Sequence, residues 1–440
     1  MIRRKVALEL FGIDVSDLVA LTLTMIVGMT HMLPLPEMVK ILAGGIFVFM
    51  LLMLPAVKSV RYLMFVLNAN ELLDIGTTSL TMIFVAVFSI KHCFCLIKNK
   101  DIDATVFIGT LFLFIFGVIV YLLLGTKDSL IGIVKHIFFM YFTAKVLDES
   151  KGEWRKLYID IYRYVALGAI YFTMLSIAIQ GLPALSKRFT PAGEITINFF
   201  GIICALAIVN LLYGILKMKA SVKINVCLIA GCVVCGLLTQ SRTFILAVAI
   251  GVVLMFLFTT SVNMKCYFMA AGVAVSILLY LVYTNIPVLA ERIDSVLFRF
   301  LDPSGGDISN GRYDLWSYTI ASMINNPIYF WFGAGNHLSV GAAFDDRVMV
   351  AHNMFLETWV IYGVVGCIML FIVYVLFIKR YLFMVKNGRV SLISLVPLIV
   401  MLCSLFYSHH FIGRSMSLVF AFSFLPIAVE KMQEGSVSYP

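Results

Sequence analysis

Three short groups of polar residues could do chemistry in a chain that is otherwise mostly apolar. Thr239-Gln240-Ser241-Arg242 separates two apolar runs, Gly311-Arg312 is followed by Asp314 and Trp316, and His352-Asn353 immediately precedes another apolar run. The guanidinium groups of Arg242 and Arg312 are planar forks suited to phosphate oxygens. His352 carries the side chain best suited to exchanging a proton near neutral pH. Brought together, they would bind an anionic phosphoryl group while a proton is moved. Each also has a plainer reading. Ser241 is a good cap for a helix starting at Arg242, and Arg242 can be an interfacial anchor. Arg312 can pair with Asp307 or Asp314 on a solvated loop. Asn353 can cap a helix with His352 merely adjacent.

The elements that must position these residues follow from composition. The chain has 440 residues, 62% of them hydrophobic and 13% charged. A soluble domain is about half apolar and about a quarter charged. The sequence therefore predicts an all-α polytopic membrane protein, because lipid leaves backbone groups no partners outside a helix or a closed barrel, and the alternation of a barrel is absent. Apolar runs mark spans near 18–33, 38–57, 60–74, 76–97, 104–124, 129–147, 157–178, 195–216, 222–239, 242–259, 266–284, 354–378, 390–408 and 414–430, or about 12–14 transmembrane helices. The 60–74 span is short and carries Asn68, Asn70 and Glu71, as a tilted or re-entrant segment would. Every second connection is rich in Lys and Arg, which places both termini and those loops in the cytoplasm. The same bias accounts for the net charge of +9 without nucleic acid.

The connections of opposite parity face outward, among them 179–194, 240–241 and 285–353. The helix from Arg242 then starts at the outer surface. Its unpaired N–H groups and positive dipole end add to the anion site. Lys187 and Arg188, in the 179–194 connection, either guide an anionic substrate or are simply solvated. In 285–353 a helix is expected after Asn310-Gly311, ending before Pro327. Tyr313, Trp316 and Ile320 would share its apolar face, with the helix on the outer surface and Trp316 at headgroup depth. The chain reads as one integral domain, 1–440, with 285–353 as its extracytoplasmic catalytic loop.

Other polar residues weigh less. Lys135, His136 and Lys145 lie within an apolar run and call for a phosphate or an acid partner. Cys232 and Cys235 form a CxxC inside an apolar run without a second pair, and read as packing residues. There is no Walker motif, Rossmann fingerprint or HExxH, so bond formation here would need an already activated substrate.

The order of these motifs resembles the O-antigen polymerase and O-antigen ligase superfamily, bacterial membrane enzymes that join lipid-linked glycans. The residues that carry the resemblance are Ser241-Arg242, Arg312 to Trp316, Pro327 with Gly333 and Gly335, His352-Asn353, and Gly363 with Gly366, all within roughly 225–375. The resemblance implies a GT-C-like glycosyltransferase of the cytoplasmic membrane, acting on its outer face. Its donor and acceptor would be undecaprenyl-diphosphate-linked glycans, with no cofactor or metal and with a chain-length regulator as a possible partner. The family's basic and histidine residues fall on Arg242, Arg312 and His352 only; from their own chemistry and place in the chain, Ser241, Asn353, Trp316, Lys187 and Arg188 are the expected substrate contacts. Polymerisation into capsular or O-antigen polysaccharide is the favoured activity. Transfer to lipid A-core, protein or wall acceptors is the alternative within the family. A flippase for lipid-linked sugars is the alternative of another class, and would show inverted repeats and midplane charges.

Overall fold

The structure is a computed structural model that describes residues 15–69, 74–75, 78–99, 104–125, 127–150, 152–181, 189–191, 197–285, 287, 290–291, 294, 312–335, 342–344, 347–349, 351–383, 390–406, 419 and 422–435. Those residues form an almost wholly helical bundle with two small antiparallel hairpins, Asp74–Ile75 with Thr78–Ser79 and Ala342–Phe344 with Arg347–Met349. The helices are α1 (Val15–Met32), α2 (Glu37–Met53), α3 (Ala56–Val66), α4 (Leu80–Asn99), α5 (Ala104–Leu124), α6 (Asp128–Glu149), α7 (Trp154–Gln180) and α8 (Ile197–Lys217). They continue as α9 (Val222–Leu238), α10 (Arg242–Phe258), α11 (Val262–Asn285), α12 (Arg312–Ile324), α13 (Pro327–Phe332), α14 (Met354–Phe383), α15 (Val396–Leu405) and α16 (Leu425–Gly435).

Two helices show how composition divides core from lipid face. Both α5 and α8 are apolar all round. α8 is buried on nearly every side, enclosed by α7, α9 and α10. Its Asn210 is satisfied inside the bundle, donating to the Leu206 carbonyl at 2.6 Å and accepting from the Tyr158 hydroxyl at 2.6 Å. α5 instead leaves Phe112, Ile115, Leu122 and other large apolar side chains exposed. A soluble protein rarely tolerates such a contiguous surface, whereas lipid covers it without cost. Among the described residues five helical segments are long and apolar enough to cross a membrane: Phe107–Leu124, Asp128–Glu149, Trp154–Gln180, Ile197–Lys217 and Met354–Lys379. Five shorter apolar helices accompany them. The chain is a multi-pass, all-α membrane protein.

Several expected boundaries move. The 38–57 and 60–74 spans resolve into α2 and α3, divided at Pro55. The short span is an 11-residue helix, buried along most of its length and closed by a 3₁₀ turn at Leu67–Ala69. The 390–408 span opens with a 3₁₀ turn at Leu392–Leu395 before α15 begins. α14 is not one straight helix, because Gly363 has non-helical angles (φ 65°, ψ −177°) that break it. His136, expected to meet an acid or a phosphate, instead bonds the Tyr374 hydroxyl at 2.8 Å.

The two ends of the bundle can be told apart by contacts. At one end Asp17, Lys58, Arg61 and Asp160 tie the beginnings of α1, α3 and α7 together. α8 and α10 start at the other end and run in parallel: Gly201 lies against Ser241 and Phe244, and Gly251 against Val209. The Glu430 carboxylate reaches Tyr213, near the far end of α8, and also holds Ser391 just before α15. α15, packed along α10 with Val400 against Gly251, therefore runs back toward the α10 start. Phe406, at its C-terminal end, and Arg242 lie at the same end of the bundle.

Candidate active site

Two glycine motifs build the frame of the site. Asn326 caps α13, its side-chain oxygen accepting from the Ile328 and Tyr329 amides at 3.1 and 3.3 Å, and Pro327 takes the first helical position. α13 ends after one and a half turns at Gly333, whose φ of +83° only glycine adopts at little cost. There it meets the break in α14. A Cβ on Gly333 would strike the Ile361 carbonyl, and one on Gly363 would strike the Trp331 carbonyl. The break frees the Val360 carbonyl, which accepts from the Ala334 amide at 2.6 Å. The Trp359 indole donates to the Phe330 carbonyl at 3.1 Å. The 326–334 hook is thus bonded backbone to backbone onto the first turns of α14.

α12 closes over that frame. It begins at Arg312, as the sequence predicts, and ends before Pro327. Leu315, Thr319 and Met323 are buried, while Tyr313 is 63% exposed and Ile320 also faces outward. Met323 packs with Ala334 and Val360, so the stripe at i, i+4 and i+8 docks on the hook. Tyr313 and Ile320, on the apolar face read from the sequence, lie outside that docked stripe. Trp316 is half-buried. Its indole N–H donates to the Ala351 carbonyl at 2.7 Å, and its ring packs edge-on against Tyr313 and Phe406.

Residues 351–353 are fixed from both sides. Trp316 holds Ala351. Asn353 caps α14, its Oδ1 accepting from the Phe355 and Leu356 amides at 3.0 and 3.2 Å. Between them His352 has φ +50°, a left-handed conformation uncommon for a residue with a Cβ. Such a conformation costs about 1–3 kcal/mol and persists where its surroundings over-determine it. The His352 amide donates to Glu357 Oε1 at 3.1 Å. Burial lowers the His352 imidazole pKa, and the charge of Arg312 lowers it further. At neutral pH the ring is therefore unprotonated, the form that can accept a proton.

Ser241 and Arg242 form a second polar corner at the same end. Ser241 occupies the N-cap position of α10 without its side chain capping the helix. Its hydroxyl donates instead to Asn198 Oδ1 on α8 at 3.0 Å, and its amide donates to Thr239 Oγ1 at 3.1 Å. Gln240 takes a left-handed conformation in this buried turn. The 179–194 connection reaches the same corner, where the Phe189 amide donates to the Leu238 carbonyl at 3.1 Å. Lys187 and Arg188 lie outside the described residues.

The structure thus brings Arg312, Trp316, His352 and Asn353 together, and sets Ser241 and Arg242 on the neighbouring α8–α10 corner. Phe406 bridges toward that corner, touching both Trp316 and Phe355 at the end of the helix that packs on α10. Sequence reasoning missed Glu357, 4% exposed, and Asn198. A carboxylate in the first turn of an apolar helix, five residues after His352, was the available signal for Glu357. Asn198 had none, because its partner lies 43 residues away in sequence. Among the described residues no group of His, Cys, Asp and Glu is arranged to hold a metal. Cys232 and Cys235 are free, buried thiols packed in the bundle.

Residues 226–371 match the family model described as O-Antigen ligase, a stretch that takes in Ser241-Arg242, Arg312, Trp316, His352-Asn353 and both Gly363 and Gly366. No curated protein matches the chain. The match covers the segment that holds this site, and that segment is similar to the O-antigen ligase family.

Proposed function

We propose that this protein is a glycosyltransferase that polymerises undecaprenyl-diphosphate-linked oligosaccharide repeat units into capsular or O-antigen polysaccharide. The site faces outward from a bacterial cytoplasmic membrane, both termini face the cytoplasm, and 285–353 is the catalytic loop of one integral domain. A chain-length regulator is the proposed partner. In the reaction an acceptor hydroxyl attacks C1 of the donor sugar, and the bond from C1 to the diphosphate oxygen breaks. His352 takes the hydroxyl proton. Arg312 and Arg242 stabilise the negative charge that grows on the departing diphosphate.

The observation that carries this reading is the pairing of Arg312 with His352. Arg312 lies one helical turn before Trp316, whose bond to Ala351 anchors that helix beside the imidazole. An anion-binding cation and a neutral base in one place are what a transfer from a diphosphate requires. The test is purified protein in liposomes with lipid-linked oligosaccharide. Longer lipid-linked chains are expected from the wild type, and none from Arg312→Ala or Arg242→Ala variants that remain in the membrane. Wild-type chain lengths from those variants would remove the phosphate clamp.

A second reading, in keeping with the words of the family description, is transfer of the glycan to lipid A-core, protein or wall material. It uses the same donor chemistry and differs only in acceptor. Glycan appearing on an added non-lipid acceptor, with no lengthening of the lipid-linked pool, would select it.

A further inference from the structure

The His352 main chain is held in place by Glu357. In a common helix start, the residue before the N-cap and the fifth residue after it carry an apolar pair that sets the chain's entry angle. Here those two positions are His352 and Glu357, and a hydrogen bond replaces the apolar contact. Glu357 is 4% exposed. A carboxyl group so buried must be hydrogen-bonded, and here its Oε1 accepts from the His352 amide at the start of α14. Its bond falls on the one residue of the 351–353 segment whose backbone is left-handed. Trp316 fixes the residue before and Asn353 caps the helix after. The remaining freedom of this segment is rotation at His352 itself, and Glu357 removes it.

We propose that Glu357 is a positioning residue for the transfer reaction, holding His352 in its left-handed bend so that the imidazole stays beside Arg312. The proposal rests on the reading of His352 as the base. The acceptor is the Glu357 oxygen, so an amide of the same length should serve, while a shorter or absent arm should not.

The experiment compares Glu357→Gln, Glu357→Asp and Glu357→Ala with wild type and His352→Ala, in the full-length protein in liposomes with lipid-linked oligosaccharide. Melting temperature, KM, kcat and the acidic limb of the pH profile are read for each. Glu357→Gln should stay within about threefold of wild-type kcat. Glu357→Ala and Glu357→Asp should lose about tenfold or more in kcat with KM little changed. Their acidic limb should rise toward the ordinary histidine value as the imidazole leaves its cleft. A simple helix-capping role would lower the melting temperature without moving that limb. If Glu357→Ala fails to fold, Glu357→Asp, which keeps a polar group at the helix start, carries the comparison with Glu357→Gln. Wild-type kcat in the shortened variants, beside an inactive His352→Ala, overturns the positioning role alone. Equal losses in Glu357→Gln and Glu357→Ala overturn it in favour of a need for the charge. Full turnover in His352→Ala removes the base assignment and the positioning role with it.

Discussion

Two polar clusters at opposite ends of the bundle use their side chains differently. At the end carrying Asp17 and Arg61, charged side chains meet charged side chains: Lys58 to Asp17 at 2.7 Å, and Arg61 to Asp160 at 2.7 Å. In the segment around His352, the bonds run from side chain to main chain. Trp316 holds a carbonyl, Glu357 an amide, Asn353 and Asn326 two amides each. Side-chain pairs join helices and neutralise one another. Side chain to main chain bonds fix a backbone trace, which is what a site needs if its reactive groups are to answer to substrate. The first end is built for cohesion and the second for placement.

The sharpest way to break this contrast is to remove a reactive group from the second end. His352→Ala should lower turnover by about 10²–10⁴-fold, the usual contribution of a positioned general base, with little change in melting temperature. An unaltered rate with an unaltered pH profile would mean that this end places nothing that reacts. Next is the frame. Gly363→Ala puts a Cβ into the Trp331 carbonyl at a position with φ +65°. The hook must then lift off α14, and activity should fall by at least tenfold while the membrane-spanning bundle remains assembled. Turnover and protease sensitivity of the 326–334 segment, measured together, would show whether the hook had lifted.

The opposite outcome is expected at the other end. Arg61→Met leaves Asp17 and Asp160 short of their shared cation in a half-buried cluster. Breaking such a pair on one side costs about 3–5 kcal/mol, so the melting temperature should drop while the pH profile of turnover stays where it was. A shifted profile would show that the two ends are coupled.

The contrast also explains what could be read from the sequence. The all-α membrane class followed from apolar runs, and α5 and α8 show why their fates could not: both are apolar all round, and only tertiary neighbours decide which one meets lipid. Arg312, Trp316 and His352-Asn353 were legible because their types are chemically costly among apolar helices. Their partners were not. Trp316 bonds a carbonyl, and a carbonyl has no signature in the sequence. Gly333 and Gly363 announced tight backbone, but not that each makes room for the other. The docked stripe of α12 was hidden for the same reason: periodicity shows which side chains are apolar, while the docked hook decides which of them are covered.

Smaller effects sharpen the picture. Trp316→Phe keeps a ring against Tyr313 and Phe406 but removes the indole N–H. The buried Ala351 carbonyl then loses its donor, at a cost of about 1–3 kcal/mol. Part of that should appear as lower turnover, because the same bond anchors the start of α12, which carries Arg312, beside residues 351–353. A variant with lowered stability and unchanged turnover would reduce Trp316 to packing.

The finest test is the acidic limb of the pH profile, and its direction follows from the site. A general base works only when unprotonated, so turnover falls as pH drops through the His352 pKa. Burial and then Arg312 both push that pKa below the ordinary value of 6.5. The wild-type limb should therefore lie on the acid side of that value. Arg312→Gln removes the second cause and leaves the first. The limb should move to higher pH without reaching the ordinary histidine position, whereas Arg312→Lys, which keeps a cation there, should leave it nearly unmoved. Residual turnover in each variant is compared only with itself across pH, so the loss of the phosphate ligand does not enter. A limb that fails to move in Arg312→Gln, with His352 still required, would mean that the guanidinium and the imidazole do not share a site during turnover.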